Sequence, residues 1–337
     1  MAVLNPELFD GNIVMTRVRL ARNLTDYPFR IKEPDAAKEI ARELYVSLLK
    51  RDRFTLYFMS ELNSLKKEAM KERHLISRNL MENTDCGAVL INEDESVSLM
   101  VNEEDVLREQ CFMRGLRLKE AYEKLSLIDA DVSRSFNVAF DEELGYLTAC
   151  PTNLGTGLRA SVMLFLPALT ASGKIASSLE RFSKLGLTVR GLYGEGSEAE
   201  GCTYQISNEV TLGLSEYEIL SLVEDAVVSV CKAEREEMER LYVSRELQTM
   251  DRAKKSFGIL TNAVLLSYGE FLSELARVKL GAMLGLIDIR DIAKLDELSV
   301  MVRPANLSLA YGKRLSATER DLYRAETVGR VLSELKG

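Results

Sequence analysis

The feature that most constrains this chain is a change of character at Ser215. Of the 20 glycines, 13 lie before residue 214 and seven after it, and Pro304 is the only one of six prolines in the later part. Before Ser215, short apolar runs alternate with loops rich in glycine and polar residues, a pattern of strands and helices around glycine-containing turns. After it the chain reads as charge-rich helix, from Ser215 to about Tyr242, Arg245 to about Leu266 and Tyr268 to Leu284. The helical signal continues in Leu286–Ala293 and Ala317–Arg330. Ser215 and Glu218 have the spacing of a capping box at the head of the first of these helices. A chain of 337 residues has room for two domains. A boundary is expected near residue 238, giving units 1–238 and 239–337. With no Gly/Ser linker between them, the two should dock closely.

Composition removes several function classes. The net charge is −8, which disfavours nucleic acid as a partner because phosphate contacts need a basic face. There is no run of 18 apolar residues, so no membrane span is expected. The N-terminus lacks a basic region followed by an apolar stretch, so no secretory signal is expected. Five scattered cysteines (Cys86, Cys111, Cys150, Cys202, Cys231) form no Cys-x-x-Cys pair. That argues against a disulfide framework or a zinc site, and for a reducing, cytoplasmic location with no protein-bound metal. A serine–histidine triad would need the single histidine, His74, and no nucleophile-elbow motif accompanies it.

Within the first unit, Arg17 and Arg19 are two apart in Ile13–Asn23 and share one face of a strand. Two guanidinium groups on one face repel unless an anion lies between them, and arginine's planar fork suits phosphate. A solvated strand face is the plainer alternative. Helices are expected over 35–51, 62–73, 116–127 and 172–185, and a strand over 53–59. Cys86–Asn92 and Ser96–Val101 read as a β-hairpin. Asn102-Glu-Glu-Asp105 with Arg108 is either a solvated acidic turn or a pair of carboxylates beside an anion-binding arginine. Phe136–Phe140 and Tyr146–Ala149 read as short strands flanking the loop Cys150-Pro-Thr-Asn-Leu-Gly-Thr-Gly-Leu-Arg-Ala-Ser161. A second glycine loop follows Arg190, with Gly191, Gly194 and Gly196. It has neither the Walker spacing nor the dinucleotide-binding pattern. Thr203–Ile206 is a further strand. Arg320 and Arg324 are i and i+4 on one helical face, and alone they read as a solvated helix with Asp321 or as a phosphate clamp.

Four motifs in order resemble the phosphagen (guanidino) kinase family. Thr16-Arg-Val-Arg19 resembles its Ser-Thr-Arg-Val-Arg. Asn102-Glu-Glu-Asp105 with Arg108 resembles its Asn-Glu-Glu-Asp-His-x-Arg, Cys150–Val162 its reactive-cysteine motif, and Arg190-Gly-x-x-Gly-Glu195 its last phosphate loop. The likeness covers about residues 10–238. Only fifteen residues precede Thr16, a helical segment stands at the C-terminus, and Arg320-Asp-Leu-Tyr-Arg-Ala325 is present; these features resemble the bacterial protein-arginine kinase branch, which also shares Val89–Ser96 and Met100–Asp105. Met15 stands where the family usually has serine, and Val106 where many members have histidine.

The resemblance implies an α+β fold: a catalytic domain with a central antiparallel sheet flanked by helices, and a C-terminal all-helical domain that dimerises. It implies transfer of the γ-phosphoryl group of ATP to the guanidinium of arginines in proteins, marking them for regulation or Clp-type proteolysis in the stress response and protein quality control. Two alternatives are a kinase of free arginine or another small guanidino compound, and a non-catalytic phosphoarginine-binding adaptor. Glu104, Cys150 and Glu195 are the implied catalytic residues, with Glu104 as base and Cys150 as an orienting thiolate helped by the Thr152 and Ser161 hydroxyls. The implied ATP-binding residues are Met15, Thr16, Arg17, Val18, Arg19, His74, Arg108, Arg159, Ala160, Ser161, Val162, Met163, Arg190, Gly191, Leu192, Tyr193, Gly194 and Glu195. The amides of Ala160, Ser161 and Gly191 are expected to help cradle phosphate. Mg2+ would be held mainly through nucleotide phosphates. Arg320, Asp321, Arg324 and Ala325 are the implied allosteric phosphoarginine-binding residues. The implied partners are protein substrates with accessible arginines, an activator protein, a Clp ATPase–protease and a second copy of the chain.

Overall fold

The strands assemble into one eight-stranded sheet in which every neighbouring pair is antiparallel. The computed structural model describes residues 11–191 and 200–337. The strands are β1 (Ile13–Arg22), β2 (Phe54–Phe58), β3 (Ala88–Asn92), β4 (Val97–Val101), β5 (Leu107–Arg114), β6 (Phe140–Asp141), β7 (Gly145–Tyr146), β8 (Leu158–Phe165), β9 (Leu187–Gly191) and β10 (Thr203–Asn208). The main sheet runs β2-β3-β4-β5-β1-β8-β10-β9, and β6 and β7 form a separate small hairpin. The helices are α1 (Pro34–Leu48), α2 (Ser64–Glu72), α3 (Arg78–Glu82), α4 (Leu118–Ser135), α5 (Pro167–Ala171), α6 (Ile175–Ser183), α7 (Glu216–Asn262), α8 (Tyr268–Met283), α9 (Ala293–Met301), α10 (Pro304–Ala310) and α11 (Ala317–Leu335).

Alternation along β1 sets the two faces of the sheet. Val18 and Leu20 point into a core shared with Leu44 of α1, Leu125 and Ile128 of α4 and Val223 and Val227 of α7. Arg17 and Arg19 point the other way. That second face is covered at the β3–β4 end by a smaller apolar cluster containing Met59, Met70, Leu75 and Leu80. Its centre, over β5, β1, β8, β10 and β9, carries the arginines.

α7 runs through residue 238 without interruption. The break comes at Arg245, whose backbone (φ −145°, ψ 39°) leaves the helical region. Residues before it pack on the sheet, whereas Ala253 and Leu260 enter a separate core with Phe271, Leu275, Leu298 and Val328. The two cores are joined by polar contacts. The Glu72 carboxylate accepts the N–H groups of Ala305 and Asn306 at 2.9 Å, and Arg303 Nη1 donates to the Glu72 carbonyl at 2.7 Å.

The structure departs from the sequence expectations in four places. Leu286–Ile292 is not helical: Gly285 (φ +71°) ends α8, Ile289 bridges to Lys336, and the Asp291 carboxylate accepts the Ala293 N–H. The 172–185 helix is shortened to α6, and a separate short helix, α5, precedes it. The short strands around 136–149 shrink to the two-residue β6 and β7, because Val138 instead pairs with Leu24, beyond the edge of β1. The polar stretch ending at Ser161 is a loop only as far as Gly157; Arg159, Ala160 and Ser161 lie inside β8.

Candidate active site

Register places the arginines together. Arg19 on β1 is opposite Arg159 on β8, Arg17 is opposite Ser161, Ala21 is opposite Arg108 on β5, and Gln205 on β10 is opposite Arg190 on β9. All lie on the face away from the main core. Arg17, Arg19, Arg108, Arg159 and Arg190 line a cavity of about 330 Å3 with Glu104, Cys150 and Thr152.

These arginines are not equally compensated. Arg108 sits between two carboxylates, with Nη1 at 2.5 Å from Glu103 and Nη2 at 2.6 Å from Glu104. Glu103 is itself buried and accepts from the Ser77 hydroxyl. Among the described residues, Arg17, Arg19, Arg159 and Arg190 have no acidic side chain within ion-pair distance, and the Nε groups of Arg19 and Arg159 are shut off from water without a partner. Burial, then Arg159 and Arg108, bring the Arg17 pKa down to about 10. Burial and the charges of Arg17, Arg108 and Arg159 hold Arg19 well below the usual arginine range, with Glu103 opposing them. Burial and Arg190 lower Arg159. Concentrated, underpaired positive charge in a partly dry cavity fits a polyanion such as the triphosphate of ATP.

The thiol and carboxylate arms are tied by residues that motif reading passed over. Asp105 is fully buried; its Oδ1 accepts the Ala149 N–H at 2.6 Å and the Asn23 amide at 2.8 Å. Asn23 also accepts from Val106 N and donates to the Leu147 carbonyl. The loop carrying Glu104 is thereby fixed to the loop carrying Cys150. Burial raises the Asp105 pKa, its hydrogen bonds from Ala149 and Asn23 acting the other way. The only sequence signal for this role was the third acid of Asn102-Glu-Glu-Asp105. Val106 is fully buried in the core, so the family's histidine is replaced by a packing residue. Gly157 (φ +64°) lets the chain turn back onto β1, where a Cβ would come within 2.6 Å of the Ala21 carbonyl. Cys150 is half-buried and its Sγ is 3.0 Å from the Thr152 hydroxyl. The Ser161 hydroxyl instead donates to the Arg17 carbonyl at 3.2 Å.

The remaining expected residues separate. Thr16, Val18, Ala160 and Val162 are buried on the opposite face and do not present side chains to the cavity. Ala160 N–H donates to Asn208 Oδ1 at 2.8 Å and is not free to cradle phosphate. Met15, Met163 and His74 line a neighbouring cavity of about 380 Å3 on the arginine face. Burial, then Arg303 and Arg17, bring the His74 pKa down to about 3, so the ring is neutral. Gly191 ends β9, paired with Tyr204. Leu192, Tyr193, Gly194 and Glu195 lie outside the described residues. In the C-terminal helical region, Arg324 is buried and donates to the carbonyls of Val302 (3.1 Å) and Leu266 (2.8 Å) and to Asp321 (2.7 Å). Ala325 is buried beside it, while Arg320 is half-buried. Among the described residues no cluster of three or more His, Cys, Asp or Glu side chains is placed to hold a metal ion. A donor set of arginines with one carboxylate suits Mg2+ only as a passenger on nucleotide phosphates.

Residues 36–237 match the ATP:guanido phosphotransferase C-terminal catalytic domain, and residues 246–337 match the protein-arginine kinase McsB C-terminal domain. The chain is 44% identical over 333 residues to a protein-arginine kinase of Caldanaerobacter subterraneus, covering 97% of this chain and 98% of that one. It is 42% identical over 319 residues to a protein-arginine kinase of Halothermothrix orenii, covering 94% and 91%. Among solved structures, lombricine kinase aligns with TM-score 0.58 at 25% identity, covering 69% of this chain and 67% of that one. The substrate-free duplicated taurocyamine kinase of Schistosoma mansoni aligns with TM-score 0.59 at 25% identity, covering 69% and 35%. The α+β sheet with its arginine-lined face and the helical C-terminal region are accounted for together: this chain belongs to the ATP:guanido phosphotransferase family.

Proposed function

We propose that the chain is a protein-arginine kinase that transfers the γ-phosphoryl group of ATP to the guanidinium of arginine residues in proteins. The observation that carries this reading is the set of underpaired arginines facing Glu104 and Cys150 across one cavity. It is supported by the near full-length likeness to protein-arginine kinases.

In this reading Arg17, Arg19, Arg108, Arg159 and Arg190 grip the phosphate oxygens and neutralise charge that builds during transfer. Mg2+ would be held mainly through nucleotide phosphates and water, and would supply positive charge against the phosphate oxygens alongside these arginines. A guanidinium is a poor nucleophile because it stays protonated, with a pKa above about 12. Glu104, half-exposed at the cavity, orients the substrate guanidinium and accepts its proton. Glu195 is assigned the second carboxylate, and Cys150 orients the guanidinium without forming a bond to it. Met15, Met163 and neutral His74 line the base end of the nucleotide groove. We assign residues 1–238 to catalysis and 239–337 to dimerisation and phosphoarginine sensing. Arg320 is the residue there with a free role, since Arg324 is committed to the carbonyls of Val302 and Leu266. A cytoplasmic setting, an activator protein and delivery of marked proteins to a Clp protease follow from the resemblance.

The test is incubation with MgATP and casein, and separately with free arginine, followed by mass spectrometry under conditions that spare acid-labile N–P bonds. Phosphoarginine on casein, absent with Glu104→Ala, is the expected result. Phosphate on free arginine alone would make the chain a small-guanidine kinase. No phosphorylation by wild type, with an activator supplied, would leave a phosphoarginine-binding adaptor.

A further inference from the structure

Behind the Cys150 loop lies a surface that the phosphotransfer reading does not use. Three strips of chain meet there: the β6–β7 hairpin, the Gly155–Thr156 turn, and residues 211–214 leading to α7. Tyr146 N–H donates to the Gly155 carbonyl at 2.7 Å, and Thr156 N–H donates to the Thr211 carbonyl at 3.1 Å. The Thr211 hydroxyl is within hydrogen-bonding distance of the carbonyls of both Thr152 (3.1 Å) and Leu154 (2.6 Å). The contacts are close enough that only glycine fits. A Cβ on Gly145 would fall 2.5 Å from the Gly155 carbonyl, and one on Gly155 would fall 2.5 Å from the Thr211 carbonyl.

Across these strips runs a shallow groove of about 280 Å3. Phe140, Leu144 and Leu212 line it while remaining 57%, 44% and 47% exposed. Phe140 stacks edge-on against Tyr146, with ring centroids 5.2 Å apart, so it is held out in place instead of folding back into the core. Glu142, Glu143 and Glu216 also line the groove, and no lysine or arginine does. Three large apolar side chains exposed side by side, rimmed by carboxylates alone, form a surface for a partner that is both apolar and cationic.

We propose that this groove docks the polypeptide flanking the target arginine, as an extended, cationic and apolar segment of the protein substrate. The inference rests on the protein-kinase reading above and adds to it a site that a small guanidino substrate would not reach. The groove adjoins the loop whose opposite side presents Cys150 and Thr152 to the arginine cavity. A chain passing from one to the other therefore crosses a single loop.

The test compares a long and a short substrate. The probes are casein, unfolded and arginine-bearing, and a five-residue peptide with one central arginine. The variants are Phe140→Ser with Leu212→Ser, and separately Glu142→Lys with Glu143→Lys; all four positions are exposed and make no contact with the arginine cavity. The apolar pair is expected to raise KM for casein about tenfold, with kcat and ATP affinity unchanged and KM for the peptide unchanged. The charge pair should raise KM for casein by a factor that shrinks as salt is added. Unchanged KM for casein in both variants would overturn the proposal. Equal loss on casein and peptide would also overturn it, because the groove would then only brace the Cys150 loop. A change of oligomeric state in sedimentation would assign the surface to a second copy and likewise overturn it. If wild type phosphorylates neither probe, the kinase reading fails instead, and that outcome is distinct from all of these.

Discussion

Arg19 and Arg22 are three residues apart on the same strand, and they are opposite kinds of buried arginine. Arg22 faces the main core at 2% exposure. Its guanidinium makes a two-pronged pair with Asp129 (2.9 and 2.8 Å), donates to the carbonyls of Ala21 and Thr156, and lies 3.5 Å over the Tyr146 ring. Burial works against its charge, but Asp129, Tyr146 and Glu109 outweigh it and its pKa is raised. Arg19 faces the cavity with its Nε unpartnered and its pKa pushed down by burial and by other arginines. Arg22 is part of how the fold holds together, and Arg19 is held by the fold in a state that an anion would relieve. Arg324 belongs with Arg22, since its donors go to carbonyls and Asp321 of its own domain.

The contrast can be broken by exchanging the effects. Arg19→Ala should lower kcat/KM by about 10³ or more, as expected for loss of a cation that stabilises transferring phosphoryl oxygens, measured by initial rates with saturating protein substrate. Arg22→Ala should instead cost about 3–5 kcal/mol of stability, read by denaturant unfolding, because it strands the Asp129 carboxylate in the interior. If Arg22→Ala were as stable as wild type, the distinction between the two residues would collapse. The smallest effect concerns His74. With its folded pKa near 3 and an ordinary value of 6.5, the unfolded chain binds the extra proton between those pH values. Stability should therefore be unaffected by this residue above pH 6.5 and decline as pH falls from 6.5 towards 3. His74→Gln should flatten that part of the pH–stability curve, and an unchanged slope would count against a neutral, half-buried ring.

How much of this was legible in the sequence depended on whether local pattern and tertiary role agreed. β1, the β3–β4 hairpin and α1 follow their periodicities, and the five-arginine set stands out because each member belongs to a motif. β5 was missed because Arg108, Glu109 and Gln110 interrupt its apolar pattern. Glu109 is tolerated in the sheet interior because burial, and then Asp129, raise its carboxyl well above the usual range. Gln110 is tolerated because its amide serves the carbonyls of His74 and Leu75. Asn23 and Asp105 were missed for a related reason: their partners are 82 residues apart in sequence, and no local spacing encodes that. The same limit applies to Arg324, whose i,i+4 spacing with Arg320 left a solvated helix and a phosphate clamp both open. Spacing reports a shared face, whereas the carbonyls that consume Arg324 come from α9's end and the α7–α8 turn.

The central claim is that the arginine face is held underpaired for a polyphosphate. Its most direct test is the thermal midpoint of wild type and Arg19→Ala, each with and without MgATP. Without nucleotide, Arg19→Ala should unfold at or above the wild-type midpoint, because the variant removes an uncompensated charge. With MgATP, only wild type should rise appreciably. A variant that unfolds several degrees earlier and still gains the full wild-type shift with MgATP would place Arg19 with Arg22, as a structural residue, and would contradict the account.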